Sequence, residues 1–229
     1  LNNNNTGGLT LPGSSGIEGH LNLSTDGQFL VLGGYDMVVN QPDAVTSRSD
    51  PYNRSLAIFP VATGTATVGP RLTDAFNNGS LRSVASNGSQ FWTAGTGASS
   101  ISGVRYVAGS SATTSTLVNL NSVSTRIASR FASIVNGRLF VSTQTGIQSY
   151  GSSLPTTSAN ITPANLAITG NAPVDAHAFF FVDRSVSTGA TGMDGLDTLY
   201  IAEGSGGRAI RKYEWTGAAW TARGFAYTG

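Results

Sequence analysis

The chain has 229 residues, of which 29 are Gly, 54 are Ser or Thr and 16 are Asn, so turns must be plentiful. Charged side chains make up only 11% against about 25% in an average soluble domain, while 39% of residues are hydrophobic, too many for a chain that stays unfolded in water. The net charge of +1 comes without any Lys or Arg run that could follow a phosphate backbone, and no apolar stretch approaches the ~20 residues that span a bilayer. Neither nucleic acid binding nor membrane insertion is expected.

The absence of Cys removes disulfides, thiolate metal sites and thiol nucleophiles. A single Lys, Lys212, beside 12 Arg, with abundant Ser, Thr, Asn and Gly, is closer to exported chains than to cytosolic enzymes, and a secreted or cell-surface location is expected. The first residues, Leu1 to Gly8, carry a four-Asn run and no signal-peptide pattern. Sequons at Asn4, Asn22, Asn53, Asn78, Asn87 and Asn160 barely exceed chance in so Ser/Thr-rich a chain and are weak glycosylation candidates.

In chain order, Leu9-Thr10-Leu11 reads as the outer strand of a preceding unit, with residues 1–16 a remnant or linker. From residue 17 a hairpin-rich pattern begins to recur. Asp26-Gly27-Gln28-Phe29-Leu30 follows Leu21-Asn22-Leu23, and Asn87-Gly88-Ser89-Gln90-Phe91-Trp92 follows Val84-Ala85. Asn136-Gly137-Arg138-Leu139-Phe140 follows Ile134-Val135, and Asp197-Thr198-Leu199-Tyr200 comes after the run Phe179-Phe180-Phe181-Val182. Asn-Gly and Asp-Gly supply the positive backbone angles of a type I′ turn, so the first three copies read as strand, two-residue turn, strand. A second hairpin then opens with an aliphatic and an aromatic: Leu56 with Phe59, Val104 with Tyr106, Ile147 with Tyr150, and Ile210 with Tyr213.

The markers Leu30, Trp92, Phe140 and Tyr200 lie 62, 48 and 60 positions apart, the spacing of four-stranded propeller blades with insertions. No 12-residue window carries a helical apolar stripe. The expectation is an all-β, β-propeller-like single domain with repeat units at about 17–77, 78–121, 122–170 and 171–229. Four units imply either a segment of a ring of five to seven blades or a ring completed by other polypeptide. A β-sandwich or solenoid also fits regularly spaced short strands, but apolar pairs recurring at blade length favour the propeller.

The stretch from Ile17 to Tyr35, IEGHLNLSTDGQFLVLGGY, with Phe91 to Thr96, Gly103 to Val107 and Asp197 to Glu203, resembles uncharacterised β-propeller-like modules of large secreted or surface-anchored bacterial proteins. The resemblance spans about Leu11 to Trp220. It brings no catalytic motif and implies a structural or binding module.

Both histidines, His20 and His177, begin innermost strands, which line the channel of a propeller. Glu18, His20, Arg82, Arg126, Arg130, Asp175 and His177 are therefore expected near one channel mouth. There a His with a carboxylate would act as general base, or two His and an Asp would hold a metal; solvated strand ends are the simpler reading. No H-E-x-x-H, G-x-S-x-G or S-x-x-K motif and no phosphate-cradling Gly loop with Lys is present. Asp183, Asp194 and Asp197 flank a Gly-rich insertion and are weak Ca²⁺ candidates, their spacing matching no Ca²⁺ loop. Trp215 and Trp220, in the last outer hairpin, are placed either to stack on sugar rings or to pack across that hairpin. The loop from Asp36 to Arg54 is the longest and is the first choice for an interface.

These features give as the leading expectation a non-enzymatic extracellular scaffold or adhesion module, without cofactor, contacting other protein domains, copies of itself or surface glycans. The alternatives are a carbohydrate-binding module on the exposed aromatics, and a hydrolase or lyase on the channel-mouth His/Arg/Asp cluster.

Overall fold

The computed structural model describes residues 8–13, 15–39, 44–97, 102–118, 128–158, 161, 163–184, 195–204 and 209–227. These residues form an all-β structure of four sheets. The first sheet holds β1 (Asn22–Leu23), β2 (Phe29–Tyr35), β3 (Arg54–Pro60) and β4 (Thr67–Leu72) in that spatial order. The second holds β5 (Leu81–Ser86), β6 (Phe91–Gly95), β7 (Gly103–Val107) and β8 (Thr116–Leu117), and the third β9 (Ala132–Val135), β10 (Arg138–Thr143), β11 (Gly146–Ser149) and β12 (Ala164–Asn165). The fourth holds β14 (Ala176–Val182), β15 (Thr198–Glu203), β16 (Ala209–Trp215) and β17 (Trp220–Tyr227), with β13 (Ile168–Thr169) added parallel to β17. Every other pairing is antiparallel between chain neighbours, so each sheet is a meander that turns by short loops.

The turn chemistry works in two ways. Asn136 and Gly137, at φ 49° and 72°, join β9 to β10 as the expected two-residue turn, with Val135 opposite Arg138. The other two Asx-Gly turns are longer than expected. Leu23 pairs with Leu30 and Ser86 with Phe91, because Asp26 Oδ1 accepts from the Gln28 N–H at 3.1 Å, and Asn87 Oδ1 from Ser89 and Gln90 at 3.2 and 2.9 Å. These side chains mimic a backbone turn and stabilise the extra residues.

Alternation along the strands places an apolar core between each successive pair of sheets. Leu56, Leu72, Phe76, Leu81, Val84 and Phe91 join the first to the second. Trp92, Val104, Leu139, Val141 and Tyr150 join the second to the third, and Phe140, Ile147, Phe179, Phe181, Leu199 and Trp220 the third to the fourth. Each fully buried Leu or Phe contributes about 1.5–3 kcal/mol relative to exposure. Close approach needs small residues at the contact, and a Cβ on Gly33 would lie 2.8 Å from Leu81 Cγ.

The inner strands β1, β5 and β9 lie side by side, β14 lies against β10, and β1 sits against both β5 and β9. The Asn22 amide donates to Val84 O at 2.6 Å and to Ala132 O at 3.0 Å, and Thr25 N–H donates to Ser86 O at 3.0 Å. Ser83 Oγ accepts from the Ala132 N–H at 2.8 Å, and Ser142 Oγ donates to His177 O at 3.0 Å. Serine and asparagine thus stitch sheet to sheet where backbone edges face one another.

Several expectations need correction. Thr10 exchanges both backbone hydrogen bonds with Tyr35, and Leu9 packs on Leu32 and Ala57, so this segment belongs to the first sheet rather than to a preceding one. The four marker residues are not equivalent. Trp92 and Phe140 are buried in interior sheets, whereas Leu30 lines a surface groove and Tyr200 lies opposite Phe180, which is 68% exposed. The first and last sheets each have one face without a neighbouring sheet among the described residues. Trp220 is only 1% exposed, with ring contacts to Phe181 and Trp215, so it is core and presents no face to a sugar. Asn22 is likewise engaged through its amide nitrogen and is unsuited to carry a glycan.

The Asn22 bridge is testable. Asn22→Leu keeps the volume and removes both hydrogen bonds. We expect a loss of about 1–3 kcal/mol, read as a lower urea midpoint with unchanged slope; a midpoint equal to that of the parent chain would contradict the bridge.

Candidate functional site

The antiparallel meander puts the start of each inner strand, and the end of its partner, at the same rim. Glu18 and His20 precede β1, Tyr35 ends β2, Arg82 opens β5, Arg130 and Phe131 precede β9, and Asp175 and His177 flank the start of β14. An aromatic ladder holds the rim together. The His20 ring meets Phe131 edge-on at 5.3 Å, and Phe131 meets Phe179 at 5.4 Å.

On this ladder sits a polar cluster. Arg130 Nη2 pairs with Asp175 Oδ1, and Asp175 Oδ2 lies 3.2 Å from His177 Nε2. Asp175 adopts φ 58°, fixed by its N–H donating to Gln144 O at 3.0 Å and its carbonyl accepting from Gly204 N at 3.0 Å. A Cβ at Gly204 would fall 1.9 Å from His177 Nε2, so only glycine lets the imidazole stand there. Tyr35 donates its hydroxyl to Glu18 Oε2 at 2.9 Å, and Arg54 lies 4.9 Å from the Tyr35 ring centroid. Arg54 itself is fully buried, its two Nη atoms donating to Ser47, Arg48, Tyr52, Phe76 and Gly79.

Among the described residues, the buried polar atoms without a hydrogen-bond partner at the rim include Glu18 Oε1, His20 Nε2, Arg54 Nε, Arg82 Nε, Arg130 Nε and Nη1, and Glu203 Oε2. Arg82 keeps one long bond, from Nη1 to Ser129 O at 3.4 Å. Burial without partners is costly for charged groups, and these atoms leave hydrogen-bonding capacity unused at the rim.

The electrostatics follow from crowding. Burial lowers the His177 pKa, the Arg130 cation lowers it further, and Asp175 opposes them. Burial also lowers the His20 pKa, with His177 and Arg82 adding to the effect. Both imidazoles are therefore neutral at pH 7. Burial, then the Arg130 charge, lowers Arg82, and burial brings Arg54 down to about 10. Burial and the Glu18 carboxylate push the Tyr35 phenol up.

The structure thus brings Glu18, His20, Arg82, Arg130, Asp175 and His177 together. Arg126 lies outside the described residues, as do Asp194, Asn4 and Asn160. Trp215 is half-buried against Trp220, in the outer hairpin of the last sheet and not at the rim. Asp183 and Asp197 lie toward the opposite end of the inner strands. Asp197 Oδ1 is occupied as a turn acceptor, receiving Arg184 N at 3.1 Å and Thr198 Oγ1 at 2.9 Å, and no group of three metal-ligating side chains occurs among the described residues. A cleft of about 500 Å³ at that end is lined by residues such as Thr25, Asn136, Phe180 and Leu196, with no acidic or basic side chain among the described residues that line it. Asn78 is exposed at φ 52°, Asn53 is half-buried, and Asn87 is engaged in its turn. The described part of the loop from Asp36 to Arg54 is tied down by Arg54 and by an Arg71–Asp36 ion pair at 3.2 Å.

Sequence reasoning missed Tyr35, Arg54, Glu203 and Gly204. Glu203 is wholly buried and accepts from Val174 N and Arg211 Nε, both at 2.7 Å, anchoring the segment that carries Asp175. Its only sequence signal is a carboxylate ending an otherwise apolar strand.

No family model and no curated protein matches the sequence. Solved structures do match in fold. A "putative 6-phosphogluconolactonase" of Bacteroides fragilis superposes with TM-score 0.50 at 14% identity, covering 91% of this chain and 56% of that one. The periplasmic gluconolactonase PpgL of Pseudomonas aeruginosa gives TM-score 0.50 at 11% identity, covering 92% and 57%. The chain therefore spans little more than half the length of these proteins. Their likeness supports a β-propeller-like fold, and neither is named as a repeat module of a surface-anchored protein. It also corrects the expectation of a non-enzymatic scaffold: the architecture is shared with proteins named as lactonases, so the enzymatic alternative is carried forward. Among the described residues, no helix is long and apolar enough to cross a membrane.

The neutral imidazoles have a consequence for acid stability. The folded chain holds both pKa values below 6.5, so the unfolded chain binds more protons as pH falls. Stability is full above about pH 6.5 and declines below it, by at most about 1.4 kcal/mol per pH unit for each imidazole. Between pH 7 and 5 the urea midpoint of His20→Phe should fall less steeply than that of the parent; identical slopes would contradict a buried neutral His20.

Proposed function

We propose that the chain carries a hydrolase site acting on a lactone or ester carbonyl. The observation that carries this reading is the linked set Arg130–Asp175–His177, with a neutral imidazole beside a carboxylate and a guanidinium. With Nε2–H donated to Asp175, His177 Nδ1 keeps a lone pair and takes a proton from water as the water oxygen bonds to the carbonyl carbon. The carbonyl π pair moves to its oxygen, and the resulting oxyanion is stabilised by guanidinium N–H groups of Arg130 or Arg82. Collapse breaks the bond to the ring oxygen, which receives the proton back from the imidazolium. The product is a hydroxy acid.

The likeness to proteins named as lactonases supports the reaction class. The finer architecture is part of the same proposal. Four sheets match 56–57% of the length of these structures, and among the described residues the first and last sheets each have a face without a neighbouring sheet. Both facts favour a propeller of about seven blades, within the range such rings adopt. A secreted or periplasmic setting fits the composition and the periplasmic location named for PpgL.

Purified protein should hydrolyse members of a panel of sugar δ-lactones, γ-lactones and aryl esters, with kcat/KM falling, as His177 protonates, at a pH below the ordinary imidazole value of about 6.5. His177→Ala should lower kcat/KM about 10²–10⁴-fold with little change in melting temperature. Gly204→Ala should lower kcat by displacing the imidazole. No turnover across the panel, or rates indifferent to His177→Ala, would overturn the proposal.

A further inference from the structure

The rim holds more positive charge than its own carboxylates balance. Arg82 and Arg130 are 9% and 6% exposed, and their charges repel one another. Arg130 is paired with Asp175 through one terminal nitrogen, while its Nε and Nη1 and the Nε of Arg82 have no acceptor. Arg54 also faces the cluster, with its Nη donors already taken by carbonyl and hydroxyl groups, and both imidazoles are neutral. Among the described residues, two carboxylates, Glu18 and Asp175, stand against three guanidinium groups. One positive charge is left over, and it resides where N–H donors lack partners. The unsatisfied groups are not all donors, however. Glu18 Oε1 is a buried acceptor without a donor.

We propose that the Arg82–Arg130 pair is a binding site for a singly charged hydroxy-carboxylate, the carboxylate taken by the unpartnered guanidinium N–H groups and an adjacent hydroxyl donated to Glu18 Oε1. A carboxylate offers two oxygens to planar guanidinium donors, and its single charge balances the rim. A dianion would leave an unbalanced negative charge beside Glu18 and Asp175, and a neutral polyol would leave the cation excess in place. This inference deepens the hydrolase reading and rests on it for the ligand's class, since ring opening of a lactone yields such an acid; the binding itself needs no turnover.

Isothermal titration of the purified chain at pH 7.5 with D-gluconate, propionate, sorbitol and inorganic phosphate tests it. Gluconate should bind most tightly, with phosphate and sorbitol weaker by about tenfold or more, equivalent to about 1.4 kcal/mol. Propionate, lacking the hydroxyl, should fall between. Arg130→Gln and Arg82→Met should each abolish gluconate binding, with melting temperature measured alongside; if either variant fails to fold, the ligand series on the parent chain decides alone. Phosphate binding as tight as gluconate, absence of gluconate binding, or unchanged affinity in a folded Arg130→Gln chain would overturn the site. Gluconate binding without lactone turnover supports this site and overturns the hydrolase reading, whereas turnover without gluconate binding does the reverse.

Discussion

The pairing of Arg130 with Asp175 across the third and fourth sheets is the constraint around which the rim is arranged. The Arg130 guanidinium is 6% exposed, and removing its charge from water costs several kcal/mol, part of which close pairing with Asp175 offsets. Asp175 must therefore be presented from the loop before β14, and this needs the left-handed backbone at φ 58° that few side chains tolerate. The surrounding structure supports that conformation: Gln144 O and Gly204 N clasp the Asp175 backbone, and Glu203 holds Val174 from below. His177 then falls beside the same carboxylate.

Sheet stacking makes this arrangement possible. Each interior sheet buries both faces, and neighbouring sheets are tied together by Asn22, Ser83 and Ser142 as well as by apolar contact. Because these bonds tie edges that lie side by side, the strand starts cannot separate. Side chains distant in sequence, from Glu18 to His177, are thereby held within electrostatic reach of one another.

Much of the strand order was legible because period-two alternation and Asx-Gly turns are local properties. Trp92, Val104, Phe140 and Tyr213 all lie in strands of the expected units and are buried or nearly so. Loop length was less legible: Asp26 and Asn87 cap longer loops through side-chain oxygens, which the dipeptide alone does not reveal. The convergence of the rim residues followed from placing them at inner-strand starts. Arg54 and Tyr35 were not foreseen, since their roles come from carbonyls and a carboxylate supplied by remote segments. Of the two placements open to Trp220, packing is the one observed, and its burial depends on Phe181 from a different hairpin as well as on Trp215. The scaffold reading failed because few ionisable residues in a chain do not prevent those few from being gathered at one place.

The most direct measurement of this account is a double-mutant cycle on Arg130 and Asp175, using Arg130→Met, Asp175→Asn and the double variant, with stability read by urea unfolding. A buried pair that organises the rim predicts a coupling of about 1–3 kcal/mol, the double variant being less destabilised than the two single changes together. A coupling near zero would mean that the two side chains act independently, and the rim as described would not exist.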